Sequence, residues 1–208
     1  MSDMGNLPNK LPPFLWKHQL YAFLSIQGGR TSIDQRVEEL LKSCKIRCMK
    51  LGSVVSNNST IIVFAKDYQE YVTDKYPGVL TNKFLDVVKR SSGYFYTTED
   101  LKEFSSNEIK QLIQHGLLAV GRDVGKWLLS LPGAGVFLKV RDKGRDILLK
   151  TIRSTKFREI ASTELQHRSQ VKLPNECKIH YRYYLSDLIG SGDVESVSTP
   201  TGLLLRLK

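Results

Sequence analysis

Several residue sets in this chain have types and spacings that could do chemistry. The first is Gly133-x-Gly135 followed by Lys139. A glycine turn with a lysine behind it invites comparison with loops that cover nucleotide phosphates. Phosphoryl transfer also needs a third glycine, a catalytic aspartate and metal-holding side chains. The third glycine of GxGxxG would fall at Leu138, and no HRD or DFG motif occurs. The two glycines then read as a tight entry to a helix and a place for close packing. His18, His115, His167 and His180 lie far apart, and no histidine–cysteine cluster has zinc spacing. Cys44-x-x-x-Cys48 reads as buried packing. With Cys177 the cysteines are odd in number and lack a CxxC pair, which fits free thiols in a reducing compartment. The carboxylates nominate no acid–base pair. No catalytic residue, metal or cofactor is therefore expected. Trp16 and Trp127 could stack on bases, but aromatics are mostly buried mass, and core or wing packing is favoured.

The cations are different, because they are placed. The stretch from Pro132 to Arg168 holds nine basic and four acidic residues, a balance of +5 within a chain of net charge +10. Its apolar spacing predicts a long helix. At roughly 100° per residue, Lys139, Lys143, Lys150 and Arg153 fall within about 80° of one another. Asp146 falls inside that stripe and Asp142 at its edge. Phe137, Leu138, Val140, Ile147, Leu148, Leu149 and Ile152 point elsewhere. Gly144 costs about 1 kcal/mol of helix stability against alanine, so a break is expected there if anywhere. A solvated helix face would look much the same. The basic residues that continue past the helix favour an anion-binding surface instead. Lys139, Lys143, Arg145, Lys150, Arg153, Lys156, Arg158 and Arg168 are its expected members. Binding of a polyanion by counterion release should weaken steeply with salt.

The elements that must hold this surface can be read in order. The chain of 208 residues has 41% hydrophobic and 25% charged residues, the balance of a folded domain protein. No apolar run reaches the ~18 residues of a membrane span, and Met1–Lys10 lacks the apolar core of a signal peptide. Residues 1–13 are expected to be disordered or draped. Helices are expected over Phe14–Ile26, from Thr31 or Ser32 through Leu41, and over Lys66–Lys75. Strands at Ile46–Leu51 and Thr60–Ala65 flank a polar turn at residues 56–59. The same order recurs. Leu80–Lys89 is helical, a short helix starts at Thr97, and another starts at Ser105, whose Glu108 resembles a capping box. Strands follow at Leu117–Val120 and Lys126–Leu131. In the third pass the basic helix leads, then Lys156–Gln166, an irregular Val171–Cys177, a helix His180–Ile189, and strands at Val194–Ser198 and Leu203–Leu207.

Helices followed by a two-stranded hairpin is the order of a winged helix. Hairpins begin near residues 45, 117 and 193. The expected fold is therefore α+β, mainly α, with three tandem winged helices over residues 14–76, 77–131 and 132–208. Recognition helices in such units enter the major groove. The first candidate carries Arg36 among Asp34, Glu38 and Glu39. The second carries Glu108 and Lys110. The third carries His180, Arg182 and three tyrosines. None offers an Arg/Asn/Gln reading set, so backbone contacts with little base specificity are expected.

Several segments resemble the family historically named serine/threonine-protein kinase 19. They are PGAGVFLKVRDKGRDILL with Lys139, Lys143, Gly144 and Arg145, then Arg153, Lys156, Arg158 and Glu159, and Thr163-Glu164-Leu165. Tyr181, Asp187-Leu188-Ile189-Gly190, Ser198-Thr199 and Gly202 to Leu207 add to them. Weaker matches lie at Leu11-Pro12-Pro13, Arg30-Thr31, Thr60 to Phe64, and Asp67-Tyr68. The resemblance implies three tandem winged helices and a nuclear, non-enzymatic DNA-binding scaffold of transcription-coupled nucleotide excision repair. Its implied partners are double-stranded DNA, the RNA polymerase II repair complex, the Cockayne-syndrome ubiquitin ligase and transcription factor IIH. Single-stranded DNA or RNA stays open as a ligand. The family's DNA contacts match Lys139, Lys143, Arg153, Lys156 and Arg168, and Arg30 joins them. Two departures stand out: Val136 occupies a position that is basic in relatives, and the basic import arm of longer relatives is missing from this sequence. The rival readings are a protein-only adaptor whose positive face meets acidic protein, and a protein kinase.

Overall fold

The computed structural model describes residues 11–24, 29–51, 59–175 and 179–208. The reading of residues 1–10, the end of the first expected helix at Ile26, the turn residues 56–58 and Cys177 lie outside the described residues. The fold is mixed helix and sheet. Among the described residues, three antiparallel three-stranded sheets follow one another along the chain. In each, the third strand in sequence is central and the first and second flank it.

The first sheet is built from β1 (Phe14–Trp16), β2 (Ile46–Lys50) and β3 (Thr60–Phe64). Between β1 and β2 lie α1 (Lys17–Phe23) and α2 (Gly29–Lys42). Phe14 pairs with Val63, and Ile46 with Phe64. Helices α3 (Ala65–Lys75) and α4 (Val79–Arg90) follow. The second sheet contains β4 (Phe95–Thr97), β5 (Leu118–Val120) and β6 (Lys126–Leu129), with α5 (Ser106–Gln114) between β4 and β5. Helix α6 (Ala134–Arg153) leads to the third sheet, β7 (Glu159–Ala161), β8 (Val194–Thr199) and β9 (Gly202–Leu207). Helices α7 (Ser162–Lys172) and α8 (Tyr181–Ser191) separate β7 from β8.

The termini of these helices follow their side chains. Ser105 Oγ accepts from Glu108 N, and Glu108 Oε2 accepts from Ser105 N, the reciprocal capping expected at α5. Gly116, at φ 74°, closes that helix. His180 caps α8 by accepting from Arg182 N. The left-handed stop of α8 is Gly192, at φ 83°, two residues beyond Gly190. Gly190 matters for packing instead, since an added Cβ would lie 2.7 Å from the carbonyl carbon of His18. Only a glycine lets α8 approach the α1 backbone so closely.

Three expectations fail in the same way. The helix expected from Phe14 begins as β1. The short helix expected from Thr97 is the end of β4 followed by a turn, in which Asp100 Oδ2 accepts from Thr97 N and Oγ1. The helix expected from Lys156 is first a turn through Arg158 and then β7, and α7 runs on to Lys172, two residues into the expected irregular connection. Each missed strand is three residues long, too short to display a period of two. Each exists because it pairs with a strand tens of residues away.

The described residues group into two compact units. One contains residues 18–24 and Val136–Lys208, the other residues 11–17 and 29–135. The core of the first unit joins Leu148 and Ile152 of α6 to Ile160, Leu165, Tyr184, Leu188, Val194 and Leu205. In the second unit, Arg47 of β2 is fully buried. It donates to the carbonyls of Ser91 at 2.7 Å and Lys89 at 3.4 Å. A guanidinium there satisfies acceptors left open at the C-terminal end of α4, where the helix dipole favours a cation.

Candidate nucleic-acid interface

Helix α6 is divided lengthwise by polarity. Phe137, Arg141, Gly144, Leu148, Thr151 and Ile152 are buried, and Lys139, Asp142, Lys143, Asp146, Lys150 and Arg153 are exposed or half-exposed. The two sets lie on opposite sides at 3.6 residues per turn. The helix is unbroken at Gly144. A Cβ there would lie 2.5 Å from Cζ of the buried Tyr184 and closer still to its hydroxyl. Gly144 therefore allows α8 to pack against α6. Close packing was expected of Gly133 and Gly135. Gly133 does sit at φ 81° with Lys75 Nζ 3.0 Å from its would-be Cβ, but Gly135 has open space around it.

Beyond α6, Lys156 and Arg158 are exposed in the turn before β7. Among the described residues, Lys139, Lys150, Arg153, Lys156 and Arg158 have no carboxylate within 4.0 Å of their charged nitrogens. Arg168, on α7, is partly exposed and ion-paired with Glu164 one turn away. Arg30 is exposed on the first turn of α2, in the other compact unit.

Arg145 differs from its expected place on this surface. Its side chain is 15% exposed and is ion-paired with Asp187 and Asp193. It also donates to Ser191 Oγ at 2.9 Å. Arg141 lies beside it, donating to Asp187 Oδ1 at 2.7 Å and to Asp142 at 3.0 Å. His18 Nε2 is 2.7 Å from the same Asp187 oxygen. Burial alone would push the Asp187 carboxyl up. The His18 hydrogen bond and the two guanidinium charges outweigh it and hold the group at about 2. Asp187 is therefore a carboxylate at neutral pH. Since a carboxylate only accepts, His18 carries its proton on Nε2. This cluster fastens α1, α6 and α8 to one another. It stiffens the helix that displays the stripe, while its own cations are spent inside.

The cluster was missed in the sequence, although part of a signal was present. The rotation arithmetic that aligns the stripe places Arg141 roughly 160° and Arg145 roughly 120° away from Lys139. Asp187 shares a helix face with Tyr184 and Leu188, so an acid there called for a buried partner. Nothing local marked His18 as that partner, because it is 169 residues away.

The remaining expectations about thiols and rings are placed as follows. Cys48 is buried, and burial pushes its thiol up to about 11, while Cys44 is half-buried. Trp16 is buried in the first sheet and Trp127 half-buried in the second. Of the α8 tyrosines, Tyr184 is buried and Tyr181 and Tyr183 are half-buried.

Comparison with known proteins agrees with the segments quoted above. The family described as inactive serine-threonine protein kinase 19 matches residues 2–207. The chain belongs to this family. Winged helix repair factor 1 of Homo sapiens is 34% identical over 212 residues, covering 98% of this chain and 80% of the human one. The Mus musculus protein of the same name is 35% identical over 211 residues, with the same coverage. Serine/threonine-protein kinase mug51 of Schizosaccharomyces pombe is 33% identical over 116 residues, 54% of this chain and 37% of its own length. The relatives it resembles thus carry both repair-factor and kinase names, and the description of its own family carries the word inactive.

Proposed function

We propose that this chain is a non-enzymatic DNA-binding protein of DNA repair, built as three tandem winged helices. Its phosphate surface consists of Lys139, Lys143, Lys150 and Arg153 on α6 with Lys156 and Arg158 beyond it. Arg168 contributes at reduced strength because Glu164 competes for it, and Arg30 is a separate contact. Arg145 is left out, since its guanidinium is committed to Asp187 and Asp193. The observation that carries the reading is the exposed row of cations opposite the buried face of α6. The repair-factor names of relatives matched over nearly the full chain support it. The triple recurrence of a three-stranded sheet with the same strand order supports the winged-helix architecture.

The finer reading extends to place and partners. The protein acts in the nucleus, in transcription-coupled nucleotide excision repair. There it bridges DNA to the RNA polymerase II repair complex, the Cockayne-syndrome ubiquitin ligase and transcription factor IIH. Its contacts are to the DNA backbone rather than to base edges, because the exposed stripe offers lysines and one arginine and no amide side chains.

Titration of labelled duplex across a salt series tests the core of this proposal. Replacing Lys139, Lys143, Lys150 and Arg153 together by glutamine should weaken duplex binding at least tenfold near ~0.15 M salt. The slope of log affinity against log salt should flatten by about 3 to 4. A folded variant with unchanged affinity and slope would remove the assignment. Capture of protein partners without any duplex binding by the wild type would favour the adaptor. Phosphate transfer from ATP by protein free of other kinases would favour the kinase.

A further inference from the structure

The turn between α6 and β7 carries a feature that phosphate binding alone does not use. Phe157 is 72% exposed, although burying a phenylalanine is strongly favourable. Among the exposed large hydrophobic residues described, it is the one with a basic residue on each side, Lys156 and Arg158. Lys156 Nζ lies 5.3 Å from the ring centroid, within cation–π range. The remaining ring surface is open to solvent.

The turn that presents this ring is tied down. Ser154 N donates to Lys150 O at 3.0 Å, and Arg158 N to Thr155 O at 3.1 Å. Leu207 N of β9 donates to Arg158 O at 3.0 Å. The hydroxyls of Ser154 and Thr155 donate to the carbonyls of Thr151 and Ile152 at 2.8 and 2.6 Å, closing the end of α6. Arg158 is held at φ 55°, a left-handed conformation uncommon for a side-chain-bearing residue. Such conformations persist where the surroundings impose them, and they cluster at functional positions. An exposed aromatic ring carried on so constrained a turn, between two cations and following the α6 stripe in sequence, has the chemistry of a nucleobase platform.

We propose that Phe157 stacks on an unpaired nucleobase while Lys156 and Arg158 hold the flanking phosphates. This rests on the DNA-binding reading above and adds a substrate preference to it. A closed duplex offers no free base face. Locally opened DNA does, and stacking on an aromatic ring tolerates every base. The surface therefore favours duplex containing unpaired bases over the same duplex fully paired.

The test uses the full chain in fluorescence-anisotropy titrations. The ligands are a short paired duplex and the same duplex with a small unpaired bubble containing 2-aminopurine. The wild type should bind the bubble about tenfold more tightly. Phe157→Ala and Phe157→Leu should lose that preference while keeping paired-duplex affinity and its salt slope. Phe157→Trp should retain it. The 2-aminopurine emission should be quenched by the wild type and not by the leucine variant. Leucine keeps the apolar bulk without the ring, so it separates stacking from a structural role and serves if the alanine variant does not fold. Equal binding of both ligands by the wild type, or an intact preference in Phe157→Leu, overturns this inference and leaves duplex binding standing. Failure of the wild type to bind either ligand overturns both readings.

Discussion

Asp187 is fully buried and accepts from His18 and two arginines, so its ionisation is tied to the folded state. Its folded pKa, about 2, lies below the roughly 3.9 of an unfolded aspartate. The stabilisation from this group is thus complete above about pH 5 and is lost as pH falls through about 4 towards 2. The loss should amount to about 2 kcal/mol, read as the change in urea-unfolding free energy across that window. Asp187→Asn should remove that component of the pH dependence. It should also destabilise the protein at neutral pH by about 3–5 kcal/mol, because two guanidinium groups are left buried with one acceptor fewer. Lys139 and Arg145 show how far single residues were legible. Both are cations on one predicted helix, and the direction of each follows from the helical rotation. The acids that claim Arg145 lie more than forty residues on, and no short window of sequence brings them near.

At the scale of elements, long periodic segments were legible and short paired ones were not. Helix α6 was readable because twenty residues display both its faces. The hairpins were readable because alternating apolar runs flank glycine and polar turns. Strands β1, β4 and β7 were not, since a central partner strand supplies their reason to exist. Glycines divide in a similar way, by their neighbours rather than by propensity. In an exposed helix, alanine is better than glycine by up to about 1 kcal/mol. Gly135→Ala, with open space around it, should gain part of that. Gly144→Ala should instead lose about 1–3 kcal/mol, because Tyr184 is buried and cannot swing away from the new methyl group. Thermal or urea unfolding of the two variants side by side decides the point. Stabilisation of both would mean that α6 and α8 can separate at no cost.

For the whole molecule, the question is whether +10 of net charge binds polyanions by its amount or by its placement. A protein this basic attracts nucleic acid through its overall field, wherever the cations lie. The two effects can be separated by a matched pair of variants. Lys66, Lys89, Lys102 and Lys126 are exposed, and each is ion-paired with an acid three or four residues away. They all lie in the unit that does not contain the stripe. Exposed pairs of this kind contribute little to stability, so glutamine at all four positions should leave the fold intact. Glutamine at Lys139, Lys143, Lys150 and Arg153 removes the same charge, so both variants fall from +10 to +6. If placement governs binding, the α6 variant should lose at least tenfold in duplex affinity while the matched variant loses no more than about threefold. Equal losses would mean that duplex binding is a property of total charge, and the α6 stripe would then be an ordinary solvated face.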